Sequence, residues 1–399
     1  MKCRFCDEFL LNKPLVSLRN MPLTDKFIPI DQTGHKEYLQ DINIYECLNC
    51  GLVQNPIDYD HEDYYKDYQY SVGQSVFSKN FMRLFAEELI KQYEHINKRK
   101  PRSVIEIGSG DGVQLLQFQN LGISRILGIE PSEYLSRLAI DLGVPTLTEL
   151  FGKDIKSQVP ERFDICLSSY TFDHIRNPSE YLQMAYTMLN DGGIIAFEIH
   201  NLEKIIERTE YCLFEHEHTI YMTPADAKRF IEAQGFEVLA IDPIATEQVR
   251  GNSLIVVAKK STISHIERKF TKTNNPQFEN LNDRIIKTIE LLDSWVYAIP
   301  KNEKIIGFGA GGRGVMTLAA MSSANRFSAI FDSNFSTNHF VTPKTNIPVV
   351  GMDCWDLYSD SYCLIFSYGY YSEISTQLIN KGFSLEKIIS LADFFPKIK

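Results

Sequence analysis

The chain has 399 residues, 44% hydrophobic and 23% charged, with a formal net charge of −10 at pH 7. That length provides for two or three domains with separate cores, and the acidic balance excludes the broad positive surface that nucleic acid or an anionic bilayer requires. No apolar run approaches the ~18–20 residues of a membrane span, and the opening MKCRFCDEFL lacks the long apolar stretch of a secretory signal, so the expectation is a cytoplasmic protein that binds neither nucleic acid nor membrane.

Residues 1–72 open with Cys3-x-x-Cys6 and close with Cys47-x-x-Cys50-Gly51. Two residues between cysteines let both thiolates reach one ion, and two such knuckles complete a tetrahedron. The expectation is a structural Zn²⁺ with no open coordination position; two redox pairs are the rival reading. The scattered Cys166, Cys212, Cys354 and Cys363 read as small buried hydrophobes. Tyr59, Tyr64, Tyr65, Tyr68 and Tyr70 crowd one short run, either as packing or with a phenol leaning into a neighbouring site. Residues 76–97 then carry apolar side chains at helical spacing.

Residues 73–260 alternate strand and helix. The stretch VIEIGSGDGVQLLQF, 104–118, is an apolar strand, a turn with Gly108, Gly110 and Gly112, and a helix from Val113. Glycines let a ligand approach the turn's backbone, and Glu106 and Asp111 make it acidic, which suits a cationic amino-acid end better than a pyrophosphate. A second strand, 125–130, ends in Glu130, where a carboxylate can accept from both ribose hydroxyls. Further elements are expected at 132–142 (helix), 144–147 (strand), 163–167 (strand), 178–189 (helix, stopped by Asn190-Asp191-Gly192-Gly193), 194–199 (strand), 236–241 and 253–258 (strands). Short connections between alternating elements mean a mainly parallel, doubly wound sheet. Ligands then bind outside the carboxyl ends of its strands.

Residues 261–399 start with a polar–apolar mixture over 264–298, expected to form two helices around Asn274-Asn275-Pro276. A second α/β unit follows, with G-x-G-x-x-G at Gly307, Gly309 and Gly312 and Arg313 just beyond. That turn is either a phosphate cradle or purely structural.

Two histidine segments follow strand ends, Ser169 to His174 and Phe214-Glu215-His216-Glu217-His218 onward to Tyr221. Adjacent residues project in different directions and lack the i, i+4 spacing of a helical zinc site. Acid–base work is therefore the stronger reading, since a histidine titrates near neutrality and a carboxylate can fix its tautomer.

The E-x-G-x-G-x-G turn with an acidic second strand end resembles the first two motifs of S-adenosylmethionine (SAM)-dependent methyltransferases. With the paired CxxC motifs, His216-Glu217-His218 to Tyr221, Arg250-Gly251-Asn252-Ser253 and the C-terminal glycine turn, the whole chain resembles a three-domain, zinc-containing family of sugar C-methyltransferases. The resemblance implies a small N-terminal zinc domain, a central Rossmann-like SAM domain (Glu106, Gly108, Gly110, Asp111, Gly112 and Glu130 at the cofactor) and a second Rossmann-like C-terminal domain. It implies a nucleotide-linked, dTDP-type 4-keto-deoxysugar methylated beside its ketone. His218 matches the family's base, Glu217 would orient it, and His174 and Tyr70 match positions facing the sugar. His216, Tyr221, Gly309, Arg313 and Lys344 would contact the substrate. Glu215 stands where the family has Tyr, Lys344 where it often has glycine, and Tyr368-Gly369 where Trp-Asn is usual. The alternative is a SAM-dependent O- or N-methyltransferase, with His218 deprotonating a heteroatom. A monomer or weak dimer is expected.

Overall fold

A computed structural model describes the chain except residues 11, 12, 35, 60, 67, 69–74, 262–277, 334, 336–338 and 397–399, and the side chains of 61–63. Two compact units emerge: residues 1–11, 46–203 and 218–273, and residues 12–45, 204–217 and 274–399.

The first unit is built on a seven-stranded sheet of β1 (Ser103–Ile107), β2 (Arg125–Ile129), β3 (Thr146–Leu147), β4 (Phe163–Ser169), β5 (Leu189–His200), β6 (Phe236–Ile241) and β7 (Ser253–Lys260). Their order is β6-β7-β5-β4-β1-β2-β3. β7 runs antiparallel to both β5 and β6, and the other pairs are parallel. The chain leaves β1 towards β2 and β3, then returns to β4 on β1's other side. That reversal opens a crevice at the carboxyl ends of β1 and β4.

Helix α1 (Val76–Asn97) starts where the Ser75 side chain accepts from Ser78 N and stops at Lys98, which turns left-handed at φ 53°. Its buried Phe81, Phe85 and Leu89, four residues apart, share a core with Val104, Ile165 and Ile255. Each enclosed Phe contributes about 2–3 kcal/mol. α2 (Val113–Asn120) follows the glycine turn, and α3 (Glu133–Asp141) begins at Ser132, whose hydroxyl accepts from Leu135 N. α4 (Pro178–Met188) is capped by Asn177, with proline at its first turn.

One boundary differs from expectation. The Asn190 to Gly193 stretch does not end α4 as a separate stop; β5 begins at once with Leu189, paired to Phe163, and the ladder resumes at Ile165 with Ile194. Gly192, at φ 72°, lets the extra residues bulge within the strand instead of leaving it.

The second unit carries a sheet in the order Ile388–Ser390, Tyr362–Ile365, Ile305–Phe308, Phe327–Phe331, Pro348–Val350, Phe340–Val341 and Ile28–Pro29. The first five strands are parallel and the last two pair antiparallel. The helix Gly312–Ala320 follows its glycine turn. Of the two helices expected over 264–298, Leu281–Ala298 is present, and residues 262–277 lie outside the described residues. No helix among the described residues is long and apolar enough to cross a membrane.

Candidate active site

The four paired cysteines come together in the first unit. Cys3 and Cys50 Sγ lie 3.6 Å apart, as do Cys6 and Cys47 Sγ. Tetrahedral zinc with bonds near 2.3 Å needs sulfurs about 3.8 Å apart, so the set closes on one ion with no large movement. The hydrogen bond from Cys50 holds the Cys3 thiol down to about 5, against its burial. Gln54 Nε2 also donates to Cys3 Sγ at 3.2 Å. Cys166, Cys212 and Cys363 are buried and Cys354 is half-buried.

The turn after β1 is held by its neighbours. Gly108 N donates to Ile129 O at 2.8 Å. Glu130 accepts Gly110 N on one carboxylate oxygen and Ser132 N on the other, both at 2.9 Å. At Gly110 a Cβ would meet nothing within 4 Å, whereas at Gly108 it would sit 2.2 Å from Thr171 Oγ1. The cofactor-type turn therefore packs directly against the turn after β4. Both glycines have positive φ, 69° and 53°.

Gly108→Ala should thus lower both melting temperature and SAM affinity, since Thr171 must move and the backbone is strained. Gly110→Ala should cost only about 1 kcal/mol of stability. Thermal melts with calorimetric titration of SAM check this pair.

Glu106 is buried, and its Oε2 has no hydrogen-bond partner. Burial first, and Asp111 second, push its carboxyl well above the usual range. An acidic pair with an unpartnered oxygen fits a cationic amino-acid end. Beyond Glu130, a cleft of about 390 Å³ is lined by Pro131, Thr148, Glu149 and Leu150, among others.

The histidines gather at the carboxyl ends of β4 and β5. Asp173 and His174 lie in the short turn Phe172–His174 just after β4, and His200 is the last residue of β5. Thr219 N and Oγ1 donate to Asp173 O and Ile175 O at 2.8 and 2.6 Å, which stitches His218 to that turn. The His218 ring lies 4.8 Å from His174, 4.6 Å from His200 and 6.2 Å from Tyr221. His200 Nδ1 bonds Asp173 Oδ2 at 2.8 Å, and His174 Nδ1 bonds the Tyr65 hydroxyl at 2.7 Å. Burial drives His174 down to about 3, leaving it neutral. Burial alone would raise Asp173, but the His200 hydrogen bond and the surrounding imidazoles hold it well below the usual carboxylate range.

Donor atoms of Asp173, His174 and His218 lie within 4.8 Å of one another, with Asp173 Oδ1 and His174 Nε2 3.9 Å apart. Beneath them, Glu198 accepts from Arg250 Nε at 3.1 Å and Ser253 Oγ at 2.7 Å, and Arg250 stacks on Tyr170.

In the second unit, His216 Nε2 donates to Met21 O at 3.0 Å against the Tyr38 ring. Glu217 accepts both Thr24 N and Thr24 Oγ1. Glu215 sits at the start of helix Gly312–Ala320, where a Cβ on Gly312 would lie 2.4 Å from its Oε1. Gly309 N donates to Phe331 O, and Asp332 Oδ2 accepts Ala310 N. Arg313 pairs with Glu210 at 2.9 Å while its Nη2 is buried without a partner. Lys344 Nζ donates to Ala319 O at 2.6 Å. Three carboxylates, Glu210, Glu215 and Asp332, therefore surround the turn read from sequence as a phosphate cradle.

His174, His218 and Tyr221 thus come together. Tyr70 lies outside the described residues, and Tyr65 is the phenol on His174. Asp173, His200 and Tyr65 were not singled out from sequence. The available signal was a histidine ending the strand next to β4.

Three families match in chain order: "Putative zinc binding domain" over residues 3–65, "Methyltransferase domain" over 77–241 and "C-methyltransferase C-terminal domain" over 250–383. C-methyltransferase NovU of Streptomyces niveus is 22% identical over 395 residues, spanning 94% of this chain and 91% of that protein. The chain belongs to the zinc-containing, three-domain C-methyltransferase family. A tRNA U34 carboxymethyltransferase of Shewanella baltica is 29% identical over 113 residues, 26% of this chain and a third of that protein. The plantazolicin methyltransferase BpumL, solved with SAH, is 17% identical and covers 46% of this chain and 85% of that one, with a TM-score of 0.38. This C-methyltransferase depends on SAM, and its four-cysteine cluster is its zinc site.

Proposed function

We propose that this C-methyltransferase acts on a nucleotide-linked 4-keto-deoxysugar of dTDP type, at the carbon beside the ketone, with His218 as the base. The supporting observation is the packing of Thr171 on Gly108. It sets the imidazole cluster against the cofactor turn, with His174 three residues beyond Thr171.

Glu130 would take the ribose hydroxyls, the cleft beyond Pro131 the adenine, and Glu106 with Asp111 the cationic end. When bound, SAM supplies an electrophilic methyl group. The chain's own residues prepare the carbon. A ketone acidifies the neighbouring C–H, and a ring nitrogen of His218 accepts that proton as the electron pair moves towards the ketone oxygen. His174 is neutral and held by Tyr65, so it can donate a hydrogen bond to the developing enolate without competing for the proton. Tyr221 would wall the sugar. In the second unit, the unpartnered Arg313 Nη2 offers a donor to a phosphate at the glycine turn, where Gly309 and Glu215 also lie.

Glu130→Gln is expected to weaken SAM binding about 10- to 100-fold, since a charged hydrogen-bond acceptor contributes roughly 1.5–3 kcal/mol; isothermal titration measures it. The proposal itself is tested with a panel of nucleotide-linked ketosugars and methyl-labelled SAM in deuterated water, read by mass spectrometry. Expected is a mass gain on carbon, with deuterium entering the same carbon when SAM is withheld. Methyl transfer to oxygen or nitrogen, or none across the ketosugars, overturns it.

A further inference from the structure

We propose that Asp173 and His200 form a positioning pair behind His218, the ionised carboxylate supplying the fixed negative charge that stabilises His218 as it takes up the substrate's proton. This rests on the reading of His218 as the base and adds the groups that let it act.

Asp173 is 2% exposed. Its Oδ2 accepts from His200 Nδ1 at 2.8 Å and from His200 N at 3.4 Å. Its Oδ1 is buried without a hydrogen-bond partner, 3.9 Å from His174 Nε2. An enclosed carboxylate with an unsatisfied oxygen is expensive, and hydrophobic packing alone gives no reason to keep one. Here it stands among three imidazoles drawn from three chain segments: the turn after β4, the end of β5 and the segment after Glu217.

The pair is placed by the sheet. Ser169 of β4 pairs with Glu198 of β5, so the residues a few positions beyond on each strand emerge side by side. With the Nδ1 proton committed to Asp173, the His200 ring has one tautomer and one orientation, its centre 4.6 Å from that of His218.

Among the described groups facing His218 are the rings of His174, His200 and Tyr221, with Asp173 in the same cluster. When His218 accepts the proton, a new N–H bond forms, the C–H pair passes into the enolate, and nothing is oxidised or reduced. A positive charge then appears in a poorly hydrated site. Among these groups Asp173 is the anion that can stabilise it. Asp173 is grouped with His174 and His218 through their donor atoms, whereas Glu217 turns its Oε1 to Thr24 N and Oγ1 and keeps a buried Oε2 without a partner.

The test uses the full-length, zinc-loaded protein labelled at histidine with ¹³C and ¹⁵N, with the His218 signal assigned by its disappearance in His218→Ala. In Asp173→Asn, the pH at which the His218 signal titrates should fall by about one unit, the size expected for removing a nearby opposite charge. The far-downfield N–H proton of His200 should vanish as well. His200→Gln keeps the carboxylate and should leave the His218 midpoint at or above that of wild type. It also serves as the decisive variant if Asp173→Asn does not fold. A lowered melting temperature with an unmoved midpoint in Asp173→Asn, or a fall in His200→Gln, overturns the pair. Failure of the base reading shows separately, as deuterium exchange into the ketosugar surviving in His218→Ala.

Discussion

His218→Ala is expected to lower methyl transfer by about 10³-fold, within the 10²–10⁴ that a positioned general base contributes, while SAM affinity stays within about twofold. The two effects separate because His218 and the glycine turn after β1 belong to different loops. His218 is tied to the turn after β4 through Thr219, and its ring contacts include His174, His200 and Tyr221. Glu130 and Gly110 hold the cofactor turn by hydrogen bonds that do not involve His218. Kinetics at saturating SAM together with a calorimetric SAM titration check both halves. A variant that loses SAM binding along with turnover would assign His218 to the cofactor.

Cys47→Ser is expected to remove the bound zinc and most of the soluble yield. The small fraction that folds should bind SAM yet turn over poorly. Structural zinc sites of this kind contribute on the order of 10–16 kcal/mol of apparent binding energy at neutral pH, more than a marginally stable domain can lose. The effect on turnover comes through the backbone. Cys47 N donates to Leu52 O, the next strand, Val53–Gln54, pairs with Ile220–Tyr221, and Asn55 N donates to Thr219 O. The knuckle thus anchors the strand that carries the chain away from His218. Metal content by mass spectrometry, melting temperature and specific activity are the measurements. A metal-free, fully active variant would show the knuckle to be dispensable.

Elements with a strong local signal were legible before folding. α1 runs over Val76–Asn97 as its apolar spacing predicts, and the glycine turn lies between β1 and α2 as expected. The cysteine pairs were equally plain, because C-x-x-C spacing is local geometry. The orientation of Glu217 was not legible. The family resemblance implies that it orients His218, yet the chain bends at His216 and Glu217, and the Glu217 carboxylate meets Thr24. Tyr65 posed a similar difficulty. Five tyrosines in one run carry the same local signal, and only packing selects which hydroxyl reaches His174.

The acidic glycine turn, each C-x-x-C pair and the two histidine segments were readable from the chain, since each is written in residues within a few positions of one another. Folding alone brings Asp173 and His200, 27 residues apart, into one hydrogen bond, and crowds Glu210 and Glu215 around the second glycine turn beside Arg313. Strand register and loop closure bring such residues together. Those are properties of the whole sheet, set by the sum of its pairings, and no short window of the chain contains them.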